Sequence, residues 1–265
     1  MPSDGLNDNE SIIQRWDELA QTFDEEAEEF AAAVTHYVDW ELLKGHLPQN
    51  REARILDTAG GTGRVALPLA KLGYSVTLCD ISLGMLSVAK QKLVREGVLN
   101  KVEICQCDAH NLHFRDECFD FSLCWFGAID VTKELVRVTK RGGKISMYLQ
   151  NICQAAISLF PEHPDDALTL LKSPSKFHGT GKYPSDRAIR IEDAAQLFES
   201  EGIRVLNIYD TAGGLVRHLL SKEVQESTQW DDGFFRRATE MVLRLNQEPS
   251  IKGMSKSIMI YGEKI

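Results

Sequence analysis

The residues best suited to chemistry lie in the run Ile55-Leu56-Asp57-Thr58-Ala59-Gly60-Gly61-Thr62-Gly63-Arg64. A short apolar run leads there into a glycine-rich turn that opens a helix-like stretch. Glycine admits positive φ and lets a ligand lie against bare backbone, and the amino end of a helix offers N–H groups without partners. Gly61-x-Gly63-x-x-Ala66 also fits a dinucleotide fingerprint. Asp80 closes the next apolar run, where a carboxylate suits ribose hydroxyls. Asp57 divides the possible ligands. It repels the pyrophosphate of a nicotinamide or flavin dinucleotide, and it attracts the ammonium and sulfonium of S-adenosylmethionine. After a third apolar run comes Cys107-Asp108-Ala109. A carboxylate there can accept from an adenine amino group, and the next N–H can reach a ring nitrogen; the same Asp108 could instead cap a turn.

These residues need strands that end on a common edge. From Arg54 to Leu149 the pattern alternates, with apolar runs at Ile55–Ala59, Ser75–Cys79, Val102–Gln106, Phe119–Cys124 and Lys144–Leu149. Helix-like stretches are Arg64–Lys71, Gly84–Glu96 and Val131–Thr139, the last closed by Lys140-Arg141-Gly142-Gly143. Such alternation implies an α/β fold with a mostly parallel, doubly wound sheet. Right-handed crossovers put the strands' carboxyl ends on one edge, and ligands bind where strand order reverses.

Residues 11–47 read as helices from the spacing of Trp16, Leu19, Ala20 and Phe23, then Phe30, Val34, Tyr37 and Val38, with the acidic run Asp24 to Glu29 as a solvated side. The proline- and glycine-containing stretch 151–190 reads as an irregular inserted lid. Helices at Ile191–Glu201 and Phe234–Leu245 and strands at Ile203–Tyr209 and Ser257–Tyr261 complete the chain. The expectation is one domain, 1–265: a helical cap (1–50), a cofactor-binding core (54–150), the lid (151–190) and a carboxyl-terminal part (191–265).

The chain has 265 residues, 43% of them hydrophobic, and a net charge of −9. That charge argues against coating nucleic acid through bulk attraction, while leaving room for a local basic patch. No apolar run approaches the roughly 18 residues of a membrane helix. The acidic start resembles no secretory or transit signal, and Cys79, Cys105, Cys107 and Cys124, in or beside apolar runs, read as free thiols of a reducing cytoplasm. Six cysteines in such a chain are no disulfide scaffold. Cys105-x-Cys107-x-x-His110-x-x-His113 offers ligand types, but its spacings are not those of zinc sites, and a strand with its loop explains it. No metal is expected.

Taken together, these segments resemble the class I S-adenosylmethionine-dependent methyltransferases. Asp57 to Gly63 is similar to their motif I, Asp80-Ile-Ser-Leu-Gly-Met-Leu86 to motif II, and Cys107-Asp-Ala-His-Asn-Leu-His-Phe114 to motif III. Phe119-Asp120 opens the motif IV strand, and Arg141-Gly-Gly143 precedes the fifth strand. Ala59 departs from the family, which commonly has glycine there. The resemblance implies a Rossmann-like methyltransferase fold binding S-adenosylmethionine. Gly60, Gly61 and Gly63, with Asp57 and Ala59, would lie under the methionine part. Asp80 would take the ribose hydroxyls, Ile81 would pack on adenine, and Asp108 and Ala109 would read its edge. Cys124 and Trp125 would border the methyl group; Trp125 also reads as a core aromatic.

The carboxyl-terminal third resembles, more narrowly, the bacterial tRNA 5-carboxymethoxyuridine methyltransferases. The shared features are Asn151, the lysine-containing lid, Gly202, Gly214-Leu-Val-Arg217 and Gln247-Glu248-Pro249. In that likeness Arg217 would hold a substrate carboxylate, with Lys172, Lys176 and Lys182 on phosphates. The expected acceptor is thus a tRNA base or a small carboxylate, amine or phenol. No catalytic base stands out. A nicotinamide-dependent oxidoreductase and a non-catalytic cofactor-binding regulator are the competing classes.

Overall fold

A computed structural model describes residues 8–25, 30–125, 129–172, 176–177, 186–210, 231–251, 253, 255 and 257–265. The chain divides into two compact units: Met1–Glu25 with Pro48–Ile145 and Lys264, and Glu26–Leu47 with Ser146–Glu263 and Ile265.

The first unit holds helix α1 (Asp8–Leu19) and the alternating segment. Its elements are β1 (Arg54–Thr58), α3 (Ala66–Lys71), β2 (Ser75–Asp80), α4 (Leu83–Arg95), β3 (Val102–Gln106), β4 (Phe119–Cys124) and α5 (Thr132–Val138). The strands run in the order β3-β2-β1-β4, and β5 (Thr139–Asn151) follows β4. β1 is parallel to both β2 and β4, and β2 to β3, so the ends bearing Thr58, Asp80, Gln106 and Cys124 share one edge. β1 and β2 are buried after their first residue, because helices cover both faces of a parallel sheet. β3 exposes Glu103 and Gln106, as an edge strand does. Ser82 caps α4 by accepting from the Met85 N–H at 3.0 Å.

The second unit contains α2 (Phe30–Lys44), α6 (Ile152–Leu159), α7 (Pro164–Lys172), β6 (Lys176–Phe177) and β7 (Asp186–Ile189). It also contains α8 (Ile191–Ser200), β8 (Ile203–Asp210), α9 (Asp232–Leu245) and nearly all of β9 (Ser257–Lys264). β5 is parallel to β7 through Gln150↔Ala188 and Asn151↔Ile189, and β7 is antiparallel to β6. β9 pairs with β5 and β8. α2 and α9 bury Val34, Val38 and Val242, with the Phe30 ring 5.7 Å from that of Phe234 and 5.9 Å from that of Phe235.

Two expectations need correction. Lys140-Arg141-Gly142-Gly143 is no separate turn but the first part of β5. Gly142 takes φ 72°, and a Cβ on Gly143 would meet the Lys140 carbonyl at 2.8 Å, so the two glycines permit a tight strand start. The stretch 151–190 is not irregular throughout, since α6 and α7 occupy much of it. Pro164 sits at the first helical position of α7, where its missing N–H costs nothing, and Ala155, Ala156, Leu159, Ala167 and Leu170 form an apolar cluster between the two helices.

No helix among the described residues is long and apolar enough to cross a membrane.

Candidate functional site

The order β3-β2-β1-β4 reverses direction at β1, and the glycine-rich loop leaves the sheet there. The loop is held by its own backbone. The Gly60 N–H donates to the Cys79 carbonyl at 3.1 Å, and the Gly63 N–H donates to the Gly60 carbonyl at 2.9 Å. Ala59, Gly61 and Gly63 all take positive φ, at 52°, 53° and 74°. The departure at Ala59 therefore places a Cβ in the left-handed region, at a cost of about 1–2 kcal/mol. Ala59→Gly should raise stability by about 0.5–1 kcal/mol once glycine's extra unfolded-state freedom is counted. Urea unfolding checks this, and a loss of stability would show that Ala59 is unstrained.

Asp57, at the end of β1, is 1% exposed, and its Oδ2 has no hydrogen-bond partner. Burial pushes its carboxyl up to about 7; the Ala66 N–H pulls the other way, and the charge of Asp80 adds to the rise. Asp80 is also buried. Its Oδ2 accepts from the Gly61 N–H and its Oδ1 from the Ser82 N–H, both at 2.9 Å. Burial raises its carboxyl above the ordinary range, opposed by those N–H groups. The Ile81 side chain is only half-buried, and its carbonyl accepts from Gln106 Nε2 at 2.9 Å.

Asp108 and Ala109 follow β3, both half-buried. Asp108 Oδ1 accepts from the His110 N–H at 2.9 Å and lies 2.8 Å from His110 Nδ1, so it caps its own turn. Burial pushes its carboxyl up, but the His110 contacts outweigh this and hold it below the ordinary range. His110 and His113 are exposed loop residues. Cys124 stands opposite Thr58 in the β1–β4 register; it is fully buried, and Trp125 beside it is 6% exposed. The structure thus brings Asp57, the loop, Asp80, Ile81, Asp108, Ala109, Cys124 and Trp125 to one edge of the first unit.

Sequence reasoning missed what braces this edge. Asp24 is not simply part of a solvated side: it accepts from Thr62 Oγ1 at 2.8 Å and from Lys92 Nζ at 2.7 Å, tying the glycine loop to α4. Asp17 Oδ1 accepts from Ser82 Oγ at 2.5 Å and from the Gly84 N–H at 2.8 Å. Long-range pairs such as these leave no local pattern.

The acceptor-side residues are less defined. Asn151 caps α6, its Oδ1 accepting from the Cys153 N–H at 2.9 Å while its Nδ2 donates to the Gly253 carbonyl at 2.6 Å. Lys172 is exposed in the last turn of α7. Lys176 lies in β6, but its side chain, like Lys182 and Arg217, lies outside the described residues. The second unit carries an acid–base cluster that the sequence did not mark. Tyr148 donates to Asp39, the His46 ring stacks on Tyr261 at 3.9 Å, and His46 Nε2 lies 3.4 Å from the Tyr209 hydroxyl. Burial raises the hydroxyls of Tyr209 and Tyr261, that of Tyr261 well above the ordinary range.

Comparison with known proteins agrees with the fold. The profile described as "Methyltransferase domain" matches residues 55–143. A ubiquinone/menaquinone biosynthesis C-methyltransferase UbiE of Xylella fastidiosa (strain M12) is 42% identical over 100 residues, which are 34% of this chain and 40% of that protein. The match thus spans well under half of the relative's length. Among solved structures, geranyl diphosphate C-methyltransferase from Streptomyces coelicolor A3(2) gives a TM-score of 0.62 at 13% identity, covering 99% of this chain and 100% of its own. The [4+2]-cyclase SpnF gives 0.60 at 15% identity, covering 97% of this chain and 96% of its own. At such identities these likenesses establish the fold. The fold is the α/β Rossmann-like methyltransferase fold, and residues 55–143 within it match the methyltransferase-domain profile.

Proposed function

We propose that this protein transfers a methyl group from S-adenosylmethionine to a small-molecule acceptor. The observation that carries this reading is the buried Asp57 oxygen, which has no partner and lies 2.8 Å from where a Cβ on Gly60 would sit. An orphaned carboxylate oxygen beside a bare backbone cradle fits a cationic amino group. It does not fit the phosphates of a nicotinamide dinucleotide. The donor set therefore matches the cofactor.

Gly60, Gly61 and Gly63 would hold the methionine part, and Asp57 its ammonium. Asp80 would use the lone pairs left after its two backbone bonds to accept from ribose hydroxyls. Ile81 would lie against adenine, with Asp108 and Ala109 at its edge. Cys124 and Trp125 would border the reacting methyl. When bound, the cofactor supplies an electrophilic methyl group on a sulfonium. The chain's own part is to orient the two reactants and exclude water, and alignment alone can account for about 7–11 kcal/mol of a barrier.

A small-molecule acceptor is supported by the names of the relatives, a quinone-pathway and a geranyl diphosphate C-methyltransferase. It also suits a chain of net charge −9 better than a tRNA does. Calorimetry tests the cofactor: S-adenosylhomocysteine should bind and NAD should not, and Asp80→Ala should cost about 1.5–3 kcal/mol of affinity, the scale of hydrogen bonds to a charged group. Tight NAD binding with no response to S-adenosylhomocysteine refutes the reading. Incubation with methyl-labelled cofactor, separately with total tRNA and with a small-molecule extract, tests the acceptor. Label retained on tRNA would replace the small molecule with a wobble or other base.

A further inference from the structure

We propose that Cys79, Cys105 and Cys107 form a binding site for one soft monovalent cation, Cu(I), and that filling it loosens the cofactor loop. The parallel register sets Cys79 beside Cys105 on adjoining strands. Cys107 lies two positions beyond Cys105, which returns its side chain to the same face. The three sulfurs all lie within 4.8 Å of one another. Cys79 and Cys107 are buried, while Cys105 is partly exposed and opens the cluster to an arriving ion. His110 and His113, the other ligand types in this stretch, are not part of the cluster; a cysteine from the neighbouring strand replaces them.

The ligand chemistry selects the ion. Thiolates favour soft ions, and structural zinc almost always takes four ligands, one more than this cluster offers. Metal–sulfur bonds of about 2.3 Å around a three-coordinate ion put the sulfurs about 4 Å apart, so the cluster need contract by less than about 1 Å. Each Sγ–H proton leaves to solvent as its sulfur–metal bond forms, and no electron is transferred.

Contraction reaches the cofactor loop through the backbone. The Cys79 carbonyl accepts the Gly60 N–H at 3.1 Å, and the Cys107 N–H donates to the Asp80 carbonyl at 3.0 Å. Drawing the sulfurs together therefore displaces the strand ends that carry Gly60 and Asp80. Only this coupling rests on the proposed function; the ion site does not.

The test is an anaerobic titration of the full chain with Cu(I) supplied as its bicinchoninate complex, read by the loss of that complex's absorbance. The wild-type chain should take one ion. Cys105→Ser, chosen because that side chain is partly exposed, should weaken binding by about 100-fold or more, at least the upper end of what losing an outer-shell partner costs. A Cys118→Ser, Cys153→Ser double variant, altered outside the cluster, should bind as wild type. Failure of the wild-type chain to withdraw Cu(I), or equal affinity in Cys105→Ser, overturns the site and leaves three thiols that only fill space. With the ion loaded, S-adenosylhomocysteine affinity should fall about fivefold or more, the low end of allosteric coupling, and should not fall in Cys105→Ser. Unchanged affinity overturns the coupling. If the metal-free chain binds no S-adenosylhomocysteine, the cofactor reading fails and the titration still decides the ion site.

Discussion

Asp57→Asn should make the cofactor-free protein more stable at pH 8 and at the same time ruin its hold on S-adenosylhomocysteine. Burial raises the Asp57 carboxyl from an ordinary 3.8 to about 7, so the folded chain holds that proton more tightly than the unfolded chain does. The stabilising contribution of the protonated form is complete below the unfolded value. It is lost as pH rises through about 7, at roughly 1.4 kcal/mol per pH unit, giving a ceiling of about 4 kcal/mol. Asparagine does not titrate and escapes that loss. Its amide must still find partners beside the unpaired oxygen position, so the net gain at pH 8 should be about 2 kcal/mol. Urea unfolding at pH 5 and pH 8 checks this: the wild-type protein should weaken between them more than the variant.

Binding should show the opposite sense. A cationic amino group favours the ionised carboxylate, so wild-type affinity for S-adenosylhomocysteine should climb from pH 6 to pH 8. The Asp57→Asn variant should be weak and flat over the same range. Parallel stability profiles for the two proteins would remove the buried charge from the account. Parallel affinity profiles would remove the ammonium.

The fate of particular residues shows what a sequence can disclose. β1, β2 and β4 could be read because strands buried on both faces become nearly unbroken apolar runs. Asp57, Asp80 and Asp108 could be placed because each ends or follows such a run. The Lys140–Gly143 stretch misled because glycines that signal a turn also allow a tight strand entry. α7 was hidden because Pro164 looks like a breaker until it is known to occupy the first helical position. Asp24 resembled any other surface acid; its ties to Thr62 and Lys92 exist only once α1 packs near α4. Cys79 belongs with Cys105 only through strand register, which one strand's sequence does not contain. Residues whose roles depend on neighbours along the chain were legible, and those depending on neighbours across the fold were not.

Gly60→Ala should cost more cofactor affinity than any other change in the loop. A Cβ at this position would lie 2.3 Å from Leu78 Cδ1, 2.7 Å from Asp57 Cγ and 2.8 Å from Asp57 Oδ2. Leu78 is fully buried and Asp57 nearly so, which leaves neither an easy retreat. Such overpacking costs about 1–3 kcal/mol of stability. The added methyl also displaces the carboxylate oxygen proposed to meet the cofactor's ammonium, so affinity for S-adenosylhomocysteine should fall about 100-fold, near 3 kcal/mol. Stability loss alone could mimic this, and Gly73→Ala separates the two. Gly73 takes φ 95° with nothing within 4 Å of its built Cβ, so alanine there strains the backbone without crowding anything. That variant should lose about 1–2 kcal/mol of stability yet bind S-adenosylhomocysteine as the wild-type chain does. If Gly60→Ala keeps wild-type affinity while losing stability, the glycine serves packing beneath the loop, and the cofactor's methionine part lies elsewhere. If both variants lose affinity together, binding follows global stability and the local clash explains nothing. The expected result, loss of affinity in Gly60→Ala alone, ties the bare backbone at this position to the ligand that Asp57 is built to meet.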